Sequence, residues 1–362
     1  MSEWLKEPVS KTGKPARVSR VRIPPCPLPP STDALAGSLL GLCLGDALGA
    51  PAESTHHRQA ARYAAELRAG RLPQSSRDSH PFGQYTDDGQ LARELLISIR
   101  DLRRFDPAAF ARRIAALVEG GRLIGGGPGT LGAAERLLAG VSWDRSGAPS
   151  PYSGNGAAMR VGPMGVLLVE TDEFESAVLD QSRVTHLDTR CAAGALAIAW
   201  CAGAAAGARL SDPLAVLEEA AEVASAEDAE VGEAIRGVGE WIGRAPADAA
   251  LEVRRRRLDP READRPWRGV SSHVTASVCW ALYCALRHPA DYLEAVTTAI
   301  WAGGDTDSMA AMAGTIVGAG VGVAGLPPSL LARLTDRGEW GAEQLEALAV
   351  EVAAAIQGGT AG

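Results

Sequence analysis

The sequence predicts an all-α fold, a single compact helical domain over residues 31–357, and three observations lead there. Apolar residues recur at helical spacing along much of the chain, as Leu91, Leu95, Leu96, Ile99 and Leu102 do. Hydrophobic residues make up 46% of the chain but aromatics only 5%, with Ala and Gly plentiful and β-branched runs few, a balance that suits closely packed helices. No strand-like alternation of useful length and no fixed-period repeat breaks the pattern. At 362 residues the chain is long for one domain, yet length alone does not divide it.

Taken in order, residues 1–30 mix charge with Pro24, Pro25, Pro27, Pro29 and Pro30, and they are expected to form a tail without its own core and not a secretory signal. From Asp33 the chain reads as successive helices: a small, apolar one over 34–45, one led in by residues 86–88, and one that starts at Pro107. Glycine-rich loops follow at 125–129 and 152–156. Next come an Ala-rich helix over 190–205 and an outer helix or helix pair over 214–238, where acids alternate with apolar positions. The charged stretch 244–268 is expected to be a surface excursion. Helices over 272–287 and 292–302, a glycine turn at Gly303-Gly304 and a small-residue helix from Ser308 complete the domain, with 358–362 as a short C-terminal tail.

Charge narrows the function classes. A formal net charge of −8 argues against a nucleic-acid wrapper, which needs a basic face. The basic run 254–257 precedes Asp259, Glu262 and Asp264 and is expected to be solvated and partly self-neutralised. Two uncharged or nearly uncharged stretches, 191–206 and 309–326, are crowded with Ala and Gly, which fits buried helices better than membrane spans. The six cysteines form no Cys-x-x-Cys pair, so reduced core thiols and a cytoplasmic protein are expected.

Two acidic clusters carry the chemistry. Thr86-Asp87-Asp88 stands at a helix start, where capping alone explains it. Asp305-Thr306-Asp307-Ser308 also opens a helix, after two glycines that admit a close approach. Two acids at i and i+2 with an adjacent hydroxyl, mirrored in the first third of the chain, resemble oxygen ligands converging on hard cations. Four carboxylates approximately balance two divalent ions, so a pair of Mg²⁺ or Mn²⁺ is expected. Glu53 is a further carboxylate on the loop after Pro51, and read alone it is an ordinary surface acid. Gly154-Asn155-Gly156 is a turn whose backbone could cradle a diphosphate. Thr185-His186 precedes another helix and reads as a supporting pair.

Taken together, Gly45-Asp46-Ala47-Leu48-Gly49-Ala50-Pro51-Ala52-Glu53, Thr86-Asp87-Asp88, Gly154-Asn155-Gly156-Ala157-Ala158-Met159-Arg160, Thr185-His186 and Gly303-Gly304-Asp305-Thr306-Asp307-Ser308 make an order of motifs that resembles the ADP-ribosylglycohydrolase family. The resemblance spans about Asp33 to Gly325 and implies an orthogonal bundle of helices with a binuclear Mg²⁺ or Mn²⁺ centre at the bottom of an ADP-ribose cleft. It also implies Thr86, Asp87, Asp88, Asp305, Asp307 and Ser308 as metal ligands. Glu53 is then the catalytic carboxylate, with Asp87 or Asp88 as second choice, and Gly154, Asn155, Gly156 and His186 bind substrate. The chain departs from many relatives at Gly89 and Ser308, where threonine is frequent.

The reaction expected is hydrolysis of the bond between ADP-ribose and a modified acceptor, arginine on a protein first. Serine-linked ADP-ribose, O-acetyl-ADP-ribose and another ADP-ribosylated small molecule or base are the alternatives. Outside this class stand a non-catalytic ADP-ribose binder and a metal-dependent phosphoesterase that cuts the diphosphate. A monomer without membrane or nucleic-acid partners is expected.

Overall fold

Glycines let two helices of the core pack backbone against backbone. In this computed structural model, which describes residues 31–75, 80–262 and 264–359, helix α1 (Thr32–Gly49) lies antiparallel along helix α14 (Thr306–Val321). Gly37, Gly41, Gly45 and Gly49 recur every fourth residue and so form one ridge of α1. A Cβ added at Gly41 would collide with the carbonyl oxygen of Gly314, and one at Gly49 with that of Thr306. Two hydrogen bonds fasten the pair, Ser38 Oγ with Thr315 Oγ1 at 2.8 Å and Thr306 Oγ1 to Gly49 O at 2.9 Å, and Tyr292, outside the pair, donates to Gly41 O at 2.7 Å. The last turn of α1 therefore lies beside the first turn of α14.

The other helices pack on this pair or on one another. They are α2 (His57–Arg68), α3 (Asp87–Leu102), α4 (Pro107–Glu119), α5 (Pro128–Leu138), α6 (Gly162–Leu168), α7 (Phe174–Arg183) and α8 (Thr189–Ala206). The chain continues through α9 (Pro213–Ser225), α10 (Ala229–Val238), α11 (Pro246–Arg255), α12 (Val274–Arg287), α13 (Tyr292–Trp301), and after α14 through α15 (Pro328–Leu331) and α16 (Ala342–Gly359). Starts follow local rules. Asp106, Asp188, Asp212, Asp228 and Asp291 each cap a helix through the side chain, and proline occupies the first turn of α4, α5, α9 and α11. Among the described residues the only β-type pairings are isolated bridges, so the fold is all-α.

The structure refines several expected elements. The stretch 214–238 is a pair, α9 and α10, divided at Ala226–Asp228. The stretch 244–268 is not wholly an excursion, because α11 buries Ala249, Ala250 and Val253 against the core. Its basic run is partly neutralised, Arg257 by Asp264 among the acids that follow it and Arg255 and Arg256 by Glu252, which precedes it. Helix α14 begins at Thr306, two residues before the expected start, with Asp305 at its N-cap. Helix α2 was not legible, since only Ala60, Ala64 and Leu67 are buried among charged neighbours.

Two helical stretches, Thr32–Ala52 and Thr189–Ala206, are long and apolar enough to cross a bilayer, but 94% and 83% of their windows are buried inside the protein, as core helices are. The N-terminal tail, Cys26 and residues 360–362 lie outside the described residues.

Candidate active site

Helix α3 is capped from a distance. Its N-cap residue Thr86 makes no capping bond with its own side chain. Instead Asp46, fully buried in the last turn of α1, accepts from Thr86 N at 2.8 Å and from Gly89 N at 2.9 Å through Oδ2, while its Oδ1 accepts from Thr86 Oγ1 at 2.8 Å. Capping, the alternative explanation for Thr86-Asp87-Asp88, is thus supplied by another helix. Asp87 and Asp88 are left to point into a cleft. Glycine at 89 is required here, since a Cβ would lie 2.6 Å from the Tyr85 ring.

The first turn of α14 is held by a crossing of three segments. Gly303 and Gly304 adopt φ of 74° and 86°, a region that glycine enters freely. This lets Ser54 N donate to Gly304 O at 2.8 Å, Val270 N to Gly303 O at 3.0 Å and Asp305 N to Val270 O at 2.9 Å. The loop that carries Glu53 is fixed in this way to the loop that carries Asp305. Carboxylate oxygens of Glu53, Asp305 and Asp307 lie within 4.8 Å of one another. Asn155 Nδ2 donates to Asp305 Oδ2 at 2.6 Å and to Ser277 Oγ at 3.2 Å, and Ser308 N donates to Asp307 Oδ1 at 2.9 Å.

The cleft, about 290 Å³, is lined by Glu53, Asp87, Asp88, Asp305, Asp307 and Ser308 together with Gly154, Asn155, Gly156 and His186. Thr86 stands behind that surface with its hydroxyl on Asp46. Asn155 reaches the wall, but its side-chain donors are spent on Asp305 and Ser277 and its backbone N–H on Ser272 O.

Crowding of acids governs the electrostatics. Burial first, and the neighbouring Asp307 second, push Asp87 up to about 7 and Asp305 up to about 8. Asp46 and Asp88 are raised in the same direction, mainly by burial, with Asp307 next for Asp46 and Asp46 next for Asp88. Asp88 Oδ1 is buried without a hydrogen-bond partner. An oxygen-rich, mutually repelling group of this kind fits hard divalent cations, which satisfy unpaired carboxylate oxygens and remove the repulsion.

The walls are neutral and close. The loop 125–129 is tied down by Gly129 N, which donates to Tyr152 Oη at 3.1 Å, and the Tyr152 ring stands 5.6 Å from that of His186. A Cβ on Gly154 would lie 2.9 Å from Tyr152, and one on Gly156 would lie 2.7 Å from His186 Cε1. His186 is drawn down to about 3, by burial and then by Arg160, so it is a neutral imidazole at physiological pH.

Sequence reasoning missed Asp46, Tyr152, Ser272 and Arg160 as parts of this site. Asp46 carried a usable signal, an acid inside an otherwise apolar small-residue helix. Tyr152 and Ser272 enter only through packing.

Comparison with known proteins places this geometry in context. A family model described as ADP-ribosylglycohydrolase matches residues 28–361. An uncharacterized protein of Archaeoglobus fulgidus is 33% identical over 317 residues, which is 87% of this chain and 94% of that protein. A solved structure titled ADP-ribosylglycohydrolase-related protein complex superposes with a TM-score of 0.65 at 24% identity, over 90% of this chain and 98% of that one, and this likeness shows the shared fold.

Proposed function

Because the chain belongs to the ADP-ribosylglycohydrolase family, and is thus a glycohydrolase-type enzyme, we propose that it releases ADP-ribose from arginine side chains of modified proteins with the aid of two Mg²⁺ or Mn²⁺ ions. The observation that supports this most is the meeting of acids from three distant segments, Glu53, Asp87 with Asp88, and Asp305 with Asp307, in one cleft.

Asp87, Asp88, Asp305 and Asp307, with the hydroxyls of Thr86 and Ser308, would hold the ions. Bound there, the ions supply charge neutralisation for an anionic diphosphate substrate and a polarised water. Glu53 handles the proton at its carboxylate, taking it from the incoming water or passing it to the departing group, while the sugar gains oxocarbenium character. Asp87 or Asp88 is the second choice for that task. Asn155 keeps Asp305 oriented through its 2.6 Å bond. Gly154, Gly156 and His186 form the wall against which the ADP-ribose moiety rests. The five described cysteines are buried free thiols, which supports a cytoplasmic setting.

An arginine-ADP-ribosylated peptide incubated with Mg²⁺ or Mn²⁺ tests the proposal. Free ADP-ribose and unmodified peptide are expected, with loss of both in chelator. Release of AMP, or binding of ADP-ribose without turnover on any linkage, would overturn it. Turnover confined to serine-linked or O-acetyl-ADP-ribose would move the acceptor and keep the chemistry.

A further inference from the structure

Arg160 is fully buried and lies just beyond the Gly154-Asn155-Gly156 turn. Its Nε donates to Gln181 Oε1 at 2.9 Å, and its Nη2 donates to Gln181 O and to Thr185 Oγ1, each at 2.8 Å. Its guanidinium also packs over the Phe110 ring at 5.1 Å. A guanidinium has no acceptor, so the Thr185 hydroxyl must accept from it, and the hydroxyl's own proton is left for another partner. His186 Nδ1 lies 2.8 Å from the same oxygen. Among the hydrogen bonds of the described residues, no other acceptor takes that proton.

A neutral imidazole carries one N–H, so the direction of this bond decides which ring nitrogen bears the proton. If Nδ1 were the donor, the buried Thr185 proton would have no acceptor. With Thr185 donating to Nδ1, both the hydroxyl and the ring nitrogen are satisfied and the proton sits on Nε2; Arg160 Nη1 stays buried without a partner in either case. The backbone leaves little slack: Thr185 N and His186 N both donate to Ser182 O, at 3.0 and 2.8 Å, and Ala148 N donates to Thr185 O at 2.8 Å. Nε2 itself faces the glycine-lined part of the cleft, where a Cβ on Gly129 would lie 2.9 Å from it and one on Gly156 3.3 Å.

We propose that Arg160 is a positioning residue that acts through the Thr185 hydroxyl to hold His186 as its Nε2–H tautomer, giving the cleft wall a fixed, uncharged donor for an oxygen of the ligand. The ligand half of this inference rests on the ADP-ribose reading above, where that oxygen is a phosphate or ribose oxygen. The tautomer half does not.

The test is a two-bond ¹H–¹⁵N spectrum of the full chain labelled at histidine. The chain has six histidines, and His186→Gln identifies the signal. Wild type at neutral pH is expected to show a protonated Nε2 and an acceptor Nδ1. Thr185→Val should erase that preference, lower the melting temperature because Arg160 Nη2 loses a buried acceptor, and weaken binding of ADP-ribose about tenfold, the size of one hydrogen bond. Thr185→Ser should restore the Nε2–H signature and the affinity, and the signature is a readout that a purely structural role would not move. A wild-type ring protonated at Nδ1, or an Nε2–H signature that survives in Thr185→Val, would overturn the inference. The wild-type spectrum decides even if Thr185→Val fails to fold. Failure of the enzyme assay alone would count against the proposed function and leave the tautomer result standing.

Discussion

The Asp46 carboxylate accepts three bonds from the segment that opens α3, and Asp87 and Asp88 ride on that first turn. Asp46→Asn replaces one accepting oxygen with an amide that can only donate, so at least one of those buried donors loses its partner at a cost of about 1–3 kcal/mol. Thermal melts over a Mg²⁺ titration should show a lower melting temperature and weaker apparent metal affinity, and a wild-type response on both counts would remove Asp46 from its positioning role. Glu53 poses a different question, since its carboxylate sits near Asp305 and Asp307 and could either move a proton or hold an ion. Glu53→Gln should cut turnover by about 10²–10⁴-fold while leaving the Mn²⁺-induced melting shift nearly intact. If the shift disappears with the activity, Glu53 belongs among the ligands.

Among elements, the antiparallel pair α1 and α14 sets the geometry that the acids need. Close backbone approach is available because glycines line the contact, with Gly41 facing Gly314 and Gly37 facing Gly318. Gly41→Ala would force a Cβ against a carbonyl oxygen that cannot yield without moving a helix, and overpacking of this kind costs about 1–3 kcal/mol. Gly243→Ala, where a Cβ meets nothing within 4 Å, is the matched control and should be close to neutral. Denaturant midpoints of the two variants measure the difference, and equal midpoints would mean that the helix pair tolerates separation. Because α1 bears Asp46 and α14 bears Asp305 and Asp307, Gly41→Ala should also weaken Mg²⁺ binding.

At the scale of the whole molecule, the acid cluster couples stability to pH and to metal. In chelator, Asp87 titrates near 7 and Asp305 near 8, both above the unfolded carboxylate value of about 3.9. The folded state therefore binds more protons than the unfolded state between these limits. Stability linked to these two groups is full below about pH 4 and is lost as pH rises through 7 to 8. In EDTA, this contribution should lower the melting temperature between pH 5.5 and 8.5. Saturating Mg²⁺ should flatten or reverse the trend, because an ion that binds only the folded state adds about 2.7 kcal/mol at a hundred times its Kd. A melting temperature in EDTA that rises across that range, with Mg²⁺ adding nothing, would contradict a cation-binding cluster.

Helix type and most helix positions were legible because each follows from neighbours in sequence: apolar spacing in α3, Asp-Pro at the starts of α4 and α9, and glycines before Asp305. The acids themselves were legible from residue type and spacing, as were the family resemblance and the partly self-neutralised run after Arg254. What the sequence could not reveal depends on contacts between distant segments. Asp46 caps a helix that starts forty residues later, Asn155 grips an acid 150 residues away, and the Arg160–Thr185–His186 relay joins two motifs that read alone as turns and caps. Capping and amphipathicity are settled within a turn or two of helix. Burial and the direction of a shared proton are settled only by what the fold packs alongside.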